Sequence, residues 1–290
     1  MASSKVRTAV FPVAGKGTRF LPVTKTVPKE VLPLVDRPCI EYVVAEAVAA
    51  GIEHMVFITA HGKDALVDYF RPSPSLEAHL QQNGKLELLA QIQEVVGMAD
   101  IVSVRQDEAL GLGHAVLQAR HAVGDHDFAV LLGDDIIDAP TPAIGQLLEV
   151  HTPGDAVVAL MEVPIEETRR YGVCAGTMVE PDLMQVQGMV EKPAPEDAPS
   201  NFAIVGRYVL PAEIWEILAT TTPGSGGEIQ LTDAIAQLAS ANKVKGRIFE
   251  GERFDTGNVV GLLRASLYFA LQRPNLRAEV QAVLAEMQER

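Results

Sequence analysis

The segment with the clearest chemical potential follows the first predicted strand, where residues 13–19 read VAGKGTR. Small residues let backbone N–H groups approach an anion closely. Four cations lie within fifteen residues of this acidic chain: Lys16, Arg19, Lys25 and Lys29. The dinucleotide motif GxGxxG and the P-loop motif GxxxxGK[ST] are both absent. The glycines alone fit a ligand-free turn equally well, and the cations favour an anion site.

Carboxylates at the ends of two predicted strands could hold a metal ion. Asp134 and Asp135 follow the apolar run 128–132, and Asp255 follows Phe254. Mg²⁺ is usually held by one or two carboxylates together with substrate phosphates. Adjacent residues of an extended chain point in opposite directions, so at most one of the first two is expected to be a ligand. The alternative is helix capping, which suits Asp135 and Asp138 and, on spacing alone, Asp255.

The first half of the chain alternates predicted strands with predicted helices. Near-continuous apolar runs of strand length predict strands buried on both faces at 7–14, 54–59, 101–105, 128–132 and 156–163. Apolar residues at helical spacing predict helices at 40–50, 112–123 and 141–151. This alternation predicts an α/β fold with a doubly wound, mixed and mostly parallel sheet flanked by helices. Ligands bind such sheets beyond the carboxyl ends of the strands.

The second half is less regular. We predict further strands at 171–176, 185–192, 201–210 and 243–249, the last of which leads into 254–258, and helices at 211–219 and 229–241. The chain is expected to be helical to its end, with a separate C-terminal helix at 274–290. An apolar stripe on that helix comprises Leu276, Val280, Val283 and Met287. Such a stripe packs against its own domain or against a partner subunit.

Composition limits the class of protein and its compartment. The 290 residues are 48% hydrophobic and 21% charged with a formal net charge of −14, which excludes a disordered chain and argues against nucleic acid as a partner. Neither a signal-peptide core nor a membrane-spanning apolar run is present, so no membrane partner is expected. Cys39 and Cys174 stand far apart, without metal spacing, and are interpreted as free thiols. A cytoplasmic location is the expectation.

The run GKGTRFLPVTKTVPK at 15–29 resembles the GxGTRxxPxTxxxPK signature of the sugar-nucleotide pyrophosphorylases. These nucleotidyltransferases join a sugar 1-phosphate to a nucleoside triphosphate. The flanking FPVAG and KEVLPLVDRPCIEY are similar to the bacterial UTP–glucose-1-phosphate uridylyltransferase branch. The resemblance covers about 7–273 and implies one nucleotidyltransferase domain, with a nucleotide-binding part at about 7–150 and a sugar-binding part at about 151–260.

The resemblance also implies roles for individual residues. Catalytic roles fall on Arg19, Lys29 and Lys192. Nucleotide binding falls on Ala14, Gly15, Lys16, Gly17, Glu30, Gln106 and Gly111. Sugar binding falls on Gly172, Glu191 and Val205. Asp134 and Asp255 are implied as ligands of Mg²⁺, with Asp255 less directly so. Without the resemblance, Glu191 and Lys192 would be interpreted as a solvated pair, and the histidines as structural or surface groups.

The implied reaction converts UTP and glucose 1-phosphate to UDP-glucose and pyrophosphate. It proceeds by Mg²⁺-dependent in-line attack of the sugar phosphate on the α-phosphorus. Two alternatives stay open: a relative that uses a different base or sugar, thymidylyltransferases included, and a non-catalytic nucleotide-sugar sensor. The family resemblance implies a homodimer or homotetramer. The role of the segment GGEIQLTDAI at 226–235 stays open.

Overall fold

The computed structural model describes residues 6–288, and within that range thirteen strands and eleven α-helices form. The strands are β1 (Thr8–Pro12), β2 (Pro33–Leu34), β3 (Arg37–Pro38), β4 (His54–Thr59), β5 (Asp100–Arg105), β6 (Phe128–Leu131), β7 (Asp135–Asp138), β8 (Ala156–Glu162), β9 (Gly172–Glu180), β10 (Leu183–Glu191), β11 (Phe202–Leu210), β12 (Val244–Ile248) and β13 (Glu252–Asp255). The helices are α1 (Cys39–Ala49), α2 (Asp64–Asp68), α3 (Pro74–Gln82), α4 (Leu86–Val96), α5 (Leu112–Leu117), α6 (Arg120–Val123), α7 (Ala143–Val150), α8 (Ile214–Thr220), α9 (Leu231–Ser240), α10 (Val259–Gln272) and α11 (Pro274–Gln288). None of the described helices has the length and apolar character needed to cross a membrane.

The central sheet contains nine of the described strands, in the order β5-β4-β1-β6-β11-β8-β12-β10-β9. The strands β5, β4, β1 and β6 are mutually parallel, and so are β8 and β12. The remaining pairings are antiparallel. The predicted mixed α/β sheet is confirmed, and its parallel part is concentrated in the first half of the chain. Only two residues join β9 to β10, a connection that allows an antiparallel hairpin but no parallel crossover.

Helices cover both faces of this sheet, as predicted for a doubly wound fold. Neighbouring residues of β1 point to opposite faces. Phe11 packs in the core formed with α1 and α7, whereas Val10 packs in the core formed with α5, α8 and α9. In the second core, the rings of Phe128 and Trp215 stack with their centroids 4.3 Å apart. Cys39 and Cys174 are free and buried, one in each core.

Several predicted details are wrong. β5 lies at the edge of the sheet, and its Val102 is 49% exposed, so this strand is not buried on both faces. The predicted helix 112–123 is divided into α5 and α6, and the helices α2 to α4 were not predicted. Asp135 and Asp138 begin and end β7, which pairs with β13, so neither caps a helix. The cap of α10 is Asn258, whose Oδ1 accepts a hydrogen bond from the backbone N–H of Gly261.

The predicted C-terminal helix corresponds to α11, and residues 289–290 of the prediction lie outside the described range. No side chain of α11 is buried. Of the predicted apolar stripe, Val283 and Met287 are 47% and 70% exposed. The stripe therefore packs only partly on its own domain, and its use in assembly stays a prediction.

A fully buried ion pair joins the middle of the sheet to α1. Arg207 has no exposed surface, and its guanidinium donates to the carboxylate of Glu46 at 2.6 to 3.1 Å. It also donates to the carbonyl oxygens of Gly206 and Asp135, at 2.8 and 2.7 Å. Because the same side chain bonds to three segments, it holds the start of β7 against β11 and α1.

Replacement of Arg207 with methionine should lower the free energy of unfolding by about 3–5 kcal/mol, because Glu46 would stay buried without its cation. Urea unfolding followed by circular dichroism measures this difference. Arg71→Met is the matched control, since Arg71 pairs with Asp68 on the surface and both side chains are more than 60% exposed. A control effect as large as that of Arg207→Met would contradict the argument, because an exposed pair contributes at most about 1 kcal/mol.

Candidate active site

Two neighbouring cavities open at the edge of the sheet where its parallel strands end. The strands β1, β4, β5 and β6 run in the same direction, so the loops that follow them meet at this edge. The first cavity, of about 540 Å³, lies between the loops after β1, β4 and β5. The second, of about 690 Å³, lies between the loop after β6 and residues of β9, β10, β11 and β13.

Most of the predicted site residues line one of these cavities. The first is lined by Ala14, Gly15, Lys16, Lys29 and Gln106. The second is lined by Arg19, Asp134, Gly172, Glu191, Lys192, Val205 and Asp255. The predicted nucleotide residues therefore gather in one cavity, and the predicted sugar and metal residues gather in the other. Gly17, Glu30 and Gly111 line neither cavity.

The cavities meet at an ion pair between Lys29 and Asp134. Nζ of Lys29 contacts Oδ2 of Asp134, and the side chains are 19% and 26% exposed. Burial alone would lower the pKa of Lys29, but the Asp134 and Glu30 carboxylates outweigh it and hold that pKa above its ordinary value. Burial would raise the pKa of Asp134, but the Lys29 ammonium holds it below its usual range. Both groups are therefore charged near neutrality.

Glu30 lies behind the wall of the first cavity and does not line it, and its nucleoside contact stays a prediction. It is 1% exposed, and its carboxylate accepts hydrogen bonds from Nζ of Lys63 at 2.9 and 3.1 Å. Burial raises the pKa of Glu30 and lowers that of Lys63, and their mutual attraction opposes both shifts. The same ammonium donates to the carbonyl oxygen of Val13. Glu30 thus acts through Lys63 on the loop that follows β1.

Gly17 and Gly111 lie in loops beside the first cavity without lining it, and their contacts with a nucleotide stay a prediction. The carbonyl oxygen of Gly17 accepts a hydrogen bond of 2.8 Å from Oγ1 of Thr24, inside the loop. Gly111 has a φ of 107°, and a Cβ atom there would lie 2.7 Å from the carbonyl oxygen of Ile229. Glycine is therefore required where this loop approaches the segment 226–235.

Asp134 and Asp255 face a common point, as expected for ligands of one cation. A Cβ atom built on Gly257 would lie 2.6 Å from Oδ2 of Asp134 and 3.0 Å from Oδ1 of Asp255. Arg170 donates to the other oxygen of Asp255 at 3.2 Å. Among the described residues no group of three or more acidic, histidine or cysteine side chains could hold a metal. Two carboxylates fit Mg²⁺, which takes its other ligands from phosphates and water.

The predicted Glu191–Lys192 pair lies in the second cavity. Oε1 of Glu191 is 3.1 Å from Nζ of Lys192, and its Oε2 accepts a hydrogen bond of 2.7 Å from Oγ1 of Thr232. Lys192 has a φ of 50°, a left-handed conformation that is unfavourable for a residue with a Cβ atom. A hydrogen bond of 2.9 Å from its backbone N–H to the carbonyl oxygen of Tyr171 holds this conformation.

Some residues of the site were not predicted. Thr232, in the segment whose role was open, orients Glu191. Arg170 and Arg253 line the second cavity, and Arg253 donates to both carboxylate oxygens of Asp135 at 2.6 and 3.1 Å. Lys63 lines the first cavity. Lys63 lies just beyond the carboxyl end of the predicted strand at 54–59, and this position could have identified it as a candidate site residue. No local sequence pattern predicts the contact between Thr232 and Glu191, because the two residues are 41 positions apart in the chain.

Gln106 is anchored at the inner wall of the first cavity. Its backbone N–H donates to the carbonyl oxygen of Thr59 at 2.8 Å, and the residue is 7% exposed. Nε2 of its side chain lies 2.9 Å from Nδ1 of His114 and 3.4 Å from the carbonyl oxygen of Gly111. His114, expected to be a structural or surface residue, is therefore in contact with a predicted binding residue.

The chain is similar to known proteins over nearly its full length. Residues 9–271 match the family model described as nucleotidyl transferase. A UTP–glucose-1-phosphate uridylyltransferase of Bacillus subtilis (strain 168) is 47% identical over 277 residues, which are 95% of each chain. A UTP-bound UGPase from Acinetobacter baumannii has a TM-score of 0.89 and 42% identity, covering 97% of this chain and 99% of that one. A UDP-glucose pyrophosphorylase complexed with UDP-glucose has a TM-score of 0.85 and 40% identity, covering 92% and 100%.

Proposed function

Because the chain belongs to the nucleotidyl transferase family, we propose that it transfers the uridylyl group of UTP to glucose 1-phosphate, with release of pyrophosphate. One observation carries this proposal: the cavity that contains Gln106 and the cavity that contains Glu191 meet at Lys29 and Asp134. A nucleotide in the first and a sugar phosphate in the second would bring their phosphates together at that point. The names of the relatives supply the two substrates.

The first cavity would hold UTP. A side-chain amide such as that of Gln106 can hydrogen-bond to the edge of a uracil base. The backbone of Ala14 and Gly15 would lie beside the nucleotide, and Lys16 would meet its phosphates as a mobile point charge. Gly17 and Gly111 would affect binding of the same nucleotide by shaping the protein loops beside the cavity. Glu30 would affect it by orienting Lys63.

Asp134 and Asp255 would hold Mg²⁺ between them, with the substrate phosphates as further ligands. The bound ion would stabilise the negative charge of the reacting phosphate oxygens. Lys29 adds a positive charge at the same place, because its raised pKa keeps it protonated near neutrality. Arg19 donates to the carbonyl oxygen of Gly257 at 3.4 Å, beside the two carboxylates, and would stabilise phosphate charge from the other side.

The second cavity would hold glucose 1-phosphate. Glu191 would accept hydrogen bonds from sugar hydroxyls, with backbone near Gly172 and Val205 lining the pocket. Lys192 would neutralise the sugar phosphate, whose second pKa is about 6, as in other phosphate monoesters. The phosphate oxygen is then a competent nucleophile near neutrality, and its attack on the α-phosphorus requires no general base. The reaction is reversible, because one phosphoanhydride replaces another.

The proposed organisation follows the two cavities. Residues 7–150 would form the nucleotide-binding part, and 151–260 would supply most of the sugar-binding part. Assembly as a homodimer or homotetramer in the cytoplasm belongs to the same proposal. The exposed end of the α11 stripe is available for such an interface, and light scattering would distinguish these states from a monomer.

The function is tested by a pyrophosphate-release assay with glucose 1-phosphate and either UTP, dTTP or ATP. We expect UTP to exceed ATP in kcat/KM by at least about tenfold, because adenine lacks the ring N–H and carbonyl groups of uracil. UTP should exceed dTTP by a smaller factor, because thymine presents the same polar edge as uracil. Preference for dTTP or ATP would assign the chain to a relative with another base. Binding of UDP-glucose without turnover of any nucleotide would favour a sensor.

Thr232→Val should raise the KM for glucose 1-phosphate about tenfold, because the hydrogen bond that orients Glu191 is worth about 1–1.5 kcal/mol. The KM for UTP should stay unchanged, since Thr232 does not line the first cavity. Initial-rate kinetics with each substrate varied in turn measure both constants. Thr220→Val is the matched control, because Thr220 is exposed and bonds only to carbonyl groups of its own helix. Equal changes in both KM values would contradict the role of Thr232.

A further inference from the structure

His114 stands between two side-chain amides and lines neither cavity. Its Nδ1 lies 2.9 Å from Nε2 of Gln106, and its Nε2 lies 3.1 Å from the amide of Gln118. Both contacts are within hydrogen-bond distance. Gln106 approaches from the loop after β5, whereas Gln118 follows α5 by one residue. The three side chains therefore form a chain of hydrogen bonds that leads to the cavity wall.

As the side chains lie in the structure, the nitrogens of both amides face the imidazole, and each also lies 3.4 Å from a carbonyl oxygen. A neutral imidazole accepts at only one nitrogen, so one amide must be turned. We assign the turn to Gln118, because Gln106 is 7% exposed and has no solvent to satisfy a turned amide, whereas Gln118 is partly exposed. The carbonyl oxygen of Gly111 can only accept, so the Gln106 atom that faces it is the NH₂ group. The same NH₂ group faces Nδ1 of His114, which must then be the acceptor, with the ring proton on Nε2. That proton is donated to the oxygen of the turned Gln118 amide, whose nitrogen gives up its 3.4 Å contact with the carbonyl oxygen of His114.

This assignment leaves the Gln106 oxygen as the atom available to a ligand. Gln106 lines the first cavity, and among residues 6–288 no donor is bonded to its Oε1. Uracil and thymine carry a proton on N3 that such an oxygen accepts, whereas N3 of cytosine is itself an acceptor and would be repelled. A glutamine free to rotate would present NH₂ to cytosine as readily as oxygen to uracil.

We infer that His114 is a positioning residue that holds the Gln106 amide with its oxygen toward the base, and thereby selects uracil and thymine against cytosine. The inference rests on the proposed function, because it assigns the first cavity to the base. It does not require that the chemical step occur. Binding of nucleotides alone can therefore test it, separately from formation of UDP-glucose.

The test measures the dissociation constants of UTP, dTTP and CTP by isothermal titration calorimetry for the wild type and for His114→Phe. The ratio of CTP to UTP dissociation constants should fall about tenfold in the variant, the effect of one lost hydrogen-bond preference. The ratio of the dTTP to UTP dissociation constants should stay unchanged, because thymine and uracil both carry a proton on N3. His121→Leu is the matched control, since this histidine is exposed on α6.

A second variant, His114→Asn, keeps a side-chain oxygen close to the place of Nδ1, and its CTP to UTP ratio should stay within about twofold of the wild type. An unchanged ratio in His114→Phe would overturn the inference. So would an equal loss for all three nucleotides, which indicates general damage to the site, or a loss in His114→Asn as large as in His114→Phe. A protein that shows the expected ratios but forms no UDP-glucose would overturn the proposed catalysis alone.

Discussion

Lys192→Ala should lower kcat by about 10²–10³-fold, the usual effect of removing one preorganised positive or hydrogen-bonding group from a reacting anion. Lys192 lines the second cavity beside Glu191 and would meet the sugar phosphate as it approaches the triphosphate. Two anions must come together in this reaction, and the charge of Lys192 opposes their repulsion most strongly in the transition state. The KM values should therefore change much less than kcat.

Steady-state pyrophosphate release with UTP and glucose 1-phosphate measures this effect. Lys85→Ala is the matched control, because Lys85 is exposed just before α4 and lines neither cavity. Lys192→Arg keeps the positive charge but changes the shape of the charged group. This variant should recover only part of the rate, because a guanidinium is planar and wider than an ammonium. A rate for Lys192→Ala within threefold of the wild type would remove this residue from the catalytic set.

Asp134→Asn should lower activity by about 10³-fold at fixed Mg²⁺ and raise the Mg²⁺ concentration needed for half-maximal activity. The amide keeps the shape of the side chain but lacks the negative charge that would attract a cation. It also leaves Lys29 without its principal partner at the junction of the two cavities. Activity measured over a series of Mg²⁺ concentrations separates the loss of metal affinity from the loss of turnover.

Asp125→Asn provides the control, since Asp125 lies on an exposed turn outside both cavities.

The variant at Asp134 should also lose a pH dependence of stability. Because the folded pKa of Asp134 is lowered, its contribution to stability is fully present above its unfolded pKa of about 4 and is lost as pH falls through the folded pKa. An unaltered Mg²⁺ profile in Asp134→Asn would exclude this carboxylate as a ligand.

The parts of the fold that could be predicted are those whose residues are constrained by the core. The strand β4 agrees with the predicted range 54–59 because its central residues are fully buried and almost all apolar. The helices α3 and α4 were not predicted, and they contribute little to the core: α4 has no buried residue and α3 buries only Leu80. The segment of α3 carries a weak apolar signal, whereas Leu88, Ile92 and Val95 of α4 recur at helical spacing, so α4 could have been predicted from its sequence.

The candidate site likewise contains residues that the sequence identified and contacts that it did not. Asp134 follows β6, one of the parallel strands that end at the edge of the sheet where the cavities open. Asp255 and Lys192 lie in short motifs at the ends of β13 and β10, which pair antiparallel with their neighbours, and they line the same cavity. Glu30 belongs to the same first motif, yet its carboxylate turns to Lys63, thirty-three positions away in the chain. Motif membership therefore identified the neighbourhood of Glu30 and not its partner.

The sequence by itself determined the family resemblance, the buried strands and the loops that carry the reacting groups, because these depend on residue type and local spacing. Only the tertiary structure decided that Lys29 pairs with Asp134, that Thr232 orients Glu191 and that His114 holds Gln106. The first two pairs join residues that are 105 and 41 positions apart in the chain. The third pair, Gln106 and His114, is 8 positions apart and is joined by the loop that contains Gly111. Such contacts form only after the sheet has brought its loops together, and no periodicity in the chain encodes them.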